Sequence, residues 1–275
     1  MSLGIWGTLP FDVLAALFGV AITAGSIDAI AGGGGLLCLP ALLWSGLSPA
    51  QTLATNKAQS VFGTGSAAWH FHRQGAIDVK TMRLTILTVF IGAAAGTILV
   101  QHIDPGFLRT ALPVLLVGIA AYFLFKPNLG EADRHERVSL KTFTLTIAPL
   151  IGFYDGFFGP GAGSFYAIAL VDLLGFNLTR ATANTKLLNL TSNFAALLAF
   201  LLGGQIVWSA ALAMAVGQFI GGRIGSHLVL NKGSRLVRPL LVVMSLAMTV
   251  KLVAADDQNW AHKFALDLWS WATNG

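Results

Sequence analysis

Two aspartates each stand a few residues ahead of a glycine-rich run. Asp28 precedes Gly32-Gly33-Gly34-Gly35, and Asp155 precedes Gly159-Pro160-Gly161-Ala162-Gly163. Glycine lets a backbone leave helical geometry and lets a ligand approach it closely. A helix that restarts after such a break points N–H groups and the positive end of its dipole into the break. Two restarts of this kind can form a shared anion site, with Gly33, Gly34, Gly35, Gly161 and Gly163 supplying backbone donors. Glycines that only permit tight helix crossing are the plainer alternative for either run alone. Their repetition, each behind an aspartate, favours function.

A second repeated signal is Ala54-Thr55-Asn56-Lys57 against Ala183-Asn184-Thr185-Lys186. Each opens an apolar element and continues as a polar stripe. Lys57, Ser60 and Thr64 share one helix face, and Lys186, Asn189 and Asn193 occupy the equivalent places. An ionisable group in a bilayer costs roughly 2.5–3.5 kcal/mol or more, so a polar face there lines a cavity or meets another helix. Candidate substrate ligands are therefore Asn56, Lys57, Asn184, Thr185, Lys186 and Asn189, with snorkelling of each lysine to the interface as the alternative. Asp28 and Asp155 are the candidate proton carriers. His70 and His72 are expected as solvated residues beside Arg73, and Arg223 as a snorkelling cation. His102, His227 and Cys38 read as structural or incidental.

The elements that carry these residues must sit in lipid. Only 11% of the 275 residues are charged, 55% are hydrophobic, and the mean hydropathy is +0.72. A soluble domain carries about a quarter charged residues. Leu9 to Ala31, Thr81 to Val100, Phe107 to Phe125, Val207 to Leu230 and Leu236 to Ala254 each approach the roughly 20 residues of a spanning helix. Met1 to Thr8 lacks the positive charge of a cleavable signal. The single cysteine excludes an internal disulfide and a cysteine-based metal site, so no metal or other cofactor is expected. The net charge of +5 falls mostly in loops and reads as topology, with no nucleic-acid partner implied.

The chain also repeats itself. Phe90-Ile91-Gly92 through Gly96 resembles Phe219-Ile220-Gly221 through Gly225, and the same spacing pairs Gly46 with Gly175, Lys57 with Lys186, and Gly75 with Gly204. With a short slip, Asp28 and Gly32 match Asp155 and Gly159. The organisation expected is a first transmembrane repeat over 1–127, a linker over 128–136, a second repeat over 137–255 and an interfacial tail over 256–275. Apolar elements of the first repeat fall at about 10–31, 36–47, 52–72, 81–102 and 107–125. The second of these is about 18 Å long as a helix, too short for a core of about 30 Å, so the first two form a broken or re-entrant pair.

Basic loops around Arg73, Lys80 and Arg83 and around Lys126, Arg134, Arg137 and Lys141 mark the cytoplasmic side. In the second half the equivalent of the first loop, Gly203 to Val207, is uncharged, while Lys232, Arg235 and Arg238 follow one crossing later. Sidedness thus inverts between the halves and places both termini outside. The fold class is an all-α integral membrane protein of about 8–10 segments, built as two inverted-topology repeats with broken helices, a hallmark of secondary transporters.

At these residues the chain resembles the sulfite exporter TauE/SafE family, also called the toluene sulfonate uptake permease family. The resemblance rests on Asp28 through Gly35 leading to Pro40, on Ala54-Thr55-Asn56-Lys57, and on Gly156 to Gly163 leading to Asn184-Thr185-Lys186. It covers nearly all of the chain except the tail. It implies a permease of a bacterial inner membrane that moves a small sulfur-containing anion, such as sulfite, a sulfonate or sulfoacetate, usually outward. Gly161 to Gly163 is a thinner glycine motif than its counterpart.

Alternating access between the halves is the expected mechanism. A potential negative inside favours anion exit by about 2.3 kcal/mol per charge per 100 mV, so only uptake requires coupled protons. The rivals are a permease of another substrate such as a metal ion, a non-transporting membrane sensor, and an intramembrane hydrolase suggested by Gly63-Thr64-Gly65-Ser66. The hydrolase lacks a positioned base, so no enzymatic activity is expected. Glycine-rich surfaces permit a homodimer without requiring one.

Overall fold

The computed structural model describes residues 9–108, 111–112, 114–115 and 136–232, and among them there is helix and no strand. In chain order the elements are α1 (Phe11–Ala31), α2 (Gly35–Trp44), α3 (Pro49–Arg73), α4 (Val79–Gln101), α5 (Leu140–Thr142), α6 (Ala148–Phe157), α7 (Ala162–Asp172), α8 (Leu178–Gly203) and α9 (Trp208–Lys232). A π-helical turn, Phe143–Ile147, joins α5 to α6. Pro149 has no N–H for the carbonyl four residues back, and the widened turn lies just ahead of it. Most of the expected element at 107–125, the linker through residue 135, the stretch from 236 to 254, the 256–275 tail and both termini lie outside the described residues.

Local chemistry sets the boundaries. Ser48 and Gln51 form a reciprocal capping box at the start of α3, with Pro49 in the first turn. Asn177 accepts the N–H of Arg180 at the start of α8. Asp78 accepts from Thr81 at the start of α4, and the Thr81 hydroxyl and N–H hold its carboxyl below the usual carboxylate range. The expected break after α1 is present. Gly32 turns left-handed at φ 81°, and α2 is a 10-residue helix of about 15 Å. The second half breaks likewise between α6 and the 11-residue α7, with Gly159 and Gly161 at φ 95° and 76°.

The packing of the halves is reciprocal. At the centre α3 meets α8 antiparallel: Ser48, Pro49 and Leu53 at the start of α3 share a groove with Ala199, Phe200 and Gly203 at the end of α8. α1 runs beside α9, and correspondingly α6 runs beside α4. The repeated glycines make both contacts. A Cβ on Gly221 or Gly225 would strike the carbonyls of Ile22 and Ser26, and one on Gly92 or Gly96 would strike those of Pro149 and Phe153. Close backbone approach of this kind suits helix association in lipid.

The polarity of the bundle is reversed from that of a soluble protein. Leu84, Leu87, Ile91 and Ile98 of α4 and Leu212, Val216, Phe219 and Ile224 of α9 are exposed, while Thr55, Asn56, Lys57, Gln59, Asn184, Lys186, Asn189 and Asn193 are buried. Of the described helices, α1, α4 and α8 are long and apolar enough to cross a membrane. α3 equals them in length at 25 residues, but its buried polar face lowers its hydropathy.

Candidate functional site

The two helix breaks meet in the middle of the bundle. A Cβ on Gly32 would lie 2.5 Å from the carbonyl carbon of Gly163, and one on Gly163 would lie 2.6 Å from Cα of Gly32 and from Nδ2 of Asn189. Around this crossing is a small polar cavity lined by Asp28, Gly34 and Gly35 from the first break, Asp155, Gly159 and Gly163 from the second, and Asn56, Lys57, Ser60, Thr64, Asn189 and Asn193 from the two stripes. Gly35 and Gly163 lie in the first turns of α2 and α7, where helix geometry supplies no preceding carbonyl partner.

Each lysine is held by the aspartate of the other half. Lys57 bonds to Oδ1 of Asp155 and, at 3.2 Å, to Oδ1 of Asn193. Ser192 donates to the second oxygen of Asp155. Lys186 bonds to the carbonyl and, at 3.2 Å, to Oδ2 of Asp28, whose Oδ1 accepts the N–H of Gly34 at 3.1 Å. Gly159 permits the first pair, since a Cβ there would lie 2.8 Å from Nζ of Lys57. The pairs differ in closure. Lys57 and Asp155 are both buried, while the Asp28 side chain keeps 17% of its surface open.

Most of the residues singled out from the sequence are gathered here, though not all of them line the cavity. Gly33 and Gly161 sit within the breaks behind it. Lys186 reaches it through Asp28. Asn184 is turned away, donating to the carbonyl of Arg180 at 2.8 Å, and its Oδ1 and the Thr185 hydroxyl are buried without hydrogen-bond partners among the described residues. His70 is not solvated as expected: it is buried, with Nδ1 against Nη1 of Arg223 at 2.6 Å. His72 is exposed.

Gln218, Ser192 and Gln59 were not singled out from the sequence. Gln218 fits into the notch left by Gly63 and bonds Sγ of Cys38 at 3.3 Å. Its signal was available, because it is the sole polar side chain between Ser209 and Arg223. Ser192 and Gln59 flank the stripes on α8 and α3 and are recognisable only once the helices pack.

The model of the sulfite exporter TauE/SafE family matches residues 17–252, which include every residue of this cavity. The chain is 51% identical over 241 residues to the probable membrane transporter protein YfcA of Escherichia coli strain K12, covering 88% of this chain and 90% of that one. It is 48% identical over 251 residues to a probable membrane transporter protein of Haemophilus influenzae, covering 91% and 98%. At 22% identity the similarity extends to the probable membrane transporter protein YunE of Bacillus subtilis. No solved structure matches. With buried polar stripes meeting inside an apolar shell, the chain belongs to the sulfite exporter TauE/SafE family and is a membrane transporter.

Proposed function

We propose that the protein carries a small sulfur-containing anion outward across the cytoplasmic membrane, by alternating movement of two inverted halves, and that it does so without catalysis. The observation that carries this reading is the crossed pairing of Lys57 with Asp155 and Lys186 with Asp28 around the Gly32–Gly163 crossing. A tetrahedral or pyramidal sulfur oxyanion offers several acceptor oxygens to ammonium, amide and backbone N–H donors. It replaces a carboxylate at a lysine, and the released aspartate belongs to the opposite half. Binding at the site is thereby linked to the contact between the halves.

The cavity volume supports the linkage. About 30 Å³ accommodates one or two waters and no sulfur oxyanion. Substrate therefore enters only when a Lys–Asp pair separates. The antiparallel arrangement of α3 and α8 supports inverted repeats, with the face of Arg73, Lys80 and Arg83 inside and the termini outside. A cation is the poorer substrate, because Lys57 shares the cavity.

Binding of sulfite, sulfate, sulfoacetate, thiosulfate, acetate and chloride to purified protein tests the proposal by thermal shift with calorimetric follow-up. Selective stabilisation by a sulfur oxyanion, lost in Lys57→Ala and Lys186→Ala, is expected. A response indifferent to both substitutions places the site elsewhere, and no response to any anion returns the sensor and other-substrate readings.

A further inference from the structure

Each polar stripe runs on into an aromatic ring. On α3 the face of Lys57, Ser60 and Thr64 continues through Ala67 to Phe71, at alternating steps of three and four residues. On α8 the face of Lys186, Asn189 and Asn193 continues at the same steps through Ala196 to Phe200. Both rings are buried. Because α3 and α8 run antiparallel, the rings lie beyond opposite ends of the central cavity. About 10 Å of helix separates Phe71 from Thr64 and Phe200 from Asn193.

The surroundings of the two rings correspond residue by residue. Phe200 belongs to an apolar cluster with Ala54, Val100, Ala196 and Ile206. Phe71 belongs to another with Ala183, Val229, Ala67 and Ile77. Each member of the first set matches one of the second at the spacing that pairs Lys57 with Lys186. The same apolar plug is therefore built twice, once at each end of the polar stripes.

At one end a groove reaches the plug. It has a volume of about 630 Å³, lies at the start of α3 and the ends of α4 and α8, and is lined in part by Ala50, Leu53, Gln101 and Phe200. Ala50, Ala54 and Lys57 follow one another on one face of α3. Ala50 is in the groove, Ala54 in the plug and Lys57 in the cavity. A layer of apolar side chains about one helical turn thick thus parts the groove from the buried charges. We propose that Phe200 and Phe71 are the two gates of the carrier, each closing the cavity toward one membrane face. An anion entering such a layer loses its hydration and gains no partner, so a closed plug bars it. The proposal rests on the reading of two alternating halves, in which the plugs open in turn as the opposite ends of α3 and α8 part.

The test follows the access of a small probe and uses no substrate. Cys38→Ser leaves the chain without a thiol. In that background Thr64→Cys places one in the cavity, and its reaction with silver ion is followed in membrane vesicles of either orientation. Adding Phe200→Ala is expected to speed the reaction at least tenfold from the face of Ser48 and Gly203. Adding Phe71→Ala is expected to do so from the face of Arg73. Phe143→Ala removes an equally buried ring from a different cluster and is expected to change neither rate. Unchanged rates in the first two variants, acceleration from both faces by either, or an equal effect of Phe143→Ala overturns the proposal. Should the alanine variants fail to fold, the closed plugs are mapped with both rings in place. Ala50→Cys and Gln74→Cys, beyond the plugs, are then expected to react at least tenfold faster than Ala54→Cys and Ala67→Cys within them. Equal rates across either plug overturn the proposal. Failure of the anion assignment shows instead in the thermal-shift series and leaves these rates as they are.

Discussion

Lys57 is held by Asp155 from 98 positions further along the chain, with both side chains removed from solvent. Removing one partner of such a pair strands a buried charge, whereas replacing both with apolar groups is close to neutral. Asp155→Ala is therefore expected to destabilise the detergent-purified protein by about 3–5 kcal/mol. Lys57→Met with Asp155→Leu recovers most of that loss but not anion binding. Chemical unfolding of the three variants checks this, and additive losses in the double variant would dismiss the coupling.

The crossing of the breaks predicts a contrast between two glycines. Gly32 and Gly46 both hold left-handed backbone, at φ 81° and 89°, but only Gly32 has a neighbour within 4 Å of its missing Cβ. Gly46→Ala is expected to cost about 1–2 kcal/mol from conformation alone. Gly32→Ala adds a collision with the Gly163 backbone and lowers the melting temperature further. Equal effects would mean that the breaks yield easily and do not constrain each other.

Helix-surface glycines sort by sign. Gly225→Ala drives a methyl into the Ser26 carbonyl of α1 and destabilises. Gly19→Ala meets nothing within 4 Å inside α1 and is expected to stabilise by about 0.4–1 kcal/mol through the unfolded chain. Thermal unfolding of the pair reads the difference directly.

If Asp28 is the proton carrier, its loss separates two modes of transport. In proteoliposomes Asp28→Asn is expected to retain downhill exit of sulfite driven by an inside-negative potential and to abolish uptake driven by a proton gradient. Equal loss of both would show that the carboxylate holds Lys186 in place and carries no proton.

Much of this arrangement is legible from residue spacing, and its limits are physical. The breaks are visible because glycine runs interrupt apolar elements, and both fall where expected. Even the thinner second motif keeps glycine at positions 159 and 161, where φ is positive, so its fewer glycines remove nothing the turn needs. The partner of each lysine is another matter. Lys57 lies 29 positions from Asp28 and 98 from Asp155, and it takes the distant one. That choice is made by the packing of α3 against α8, which no local pattern encodes. His70 reads as a solvated residue because it neighbours His72 and Arg73 at a helix end. It is buried because α9 brings Arg223 against its ring, an event 153 positions away in sequence.

The crossed pairing of Lys57 with Asp155 and Lys186 with Asp28 also constrains how the chain can be divided. A lone first half folds with an unneutralised ammonium at Lys57 and a carboxylate at Asp28 that has lost its cation, and a lone second half is left with the mirror deficit. Neither half can therefore be cut away from the other without stranding a buried charge.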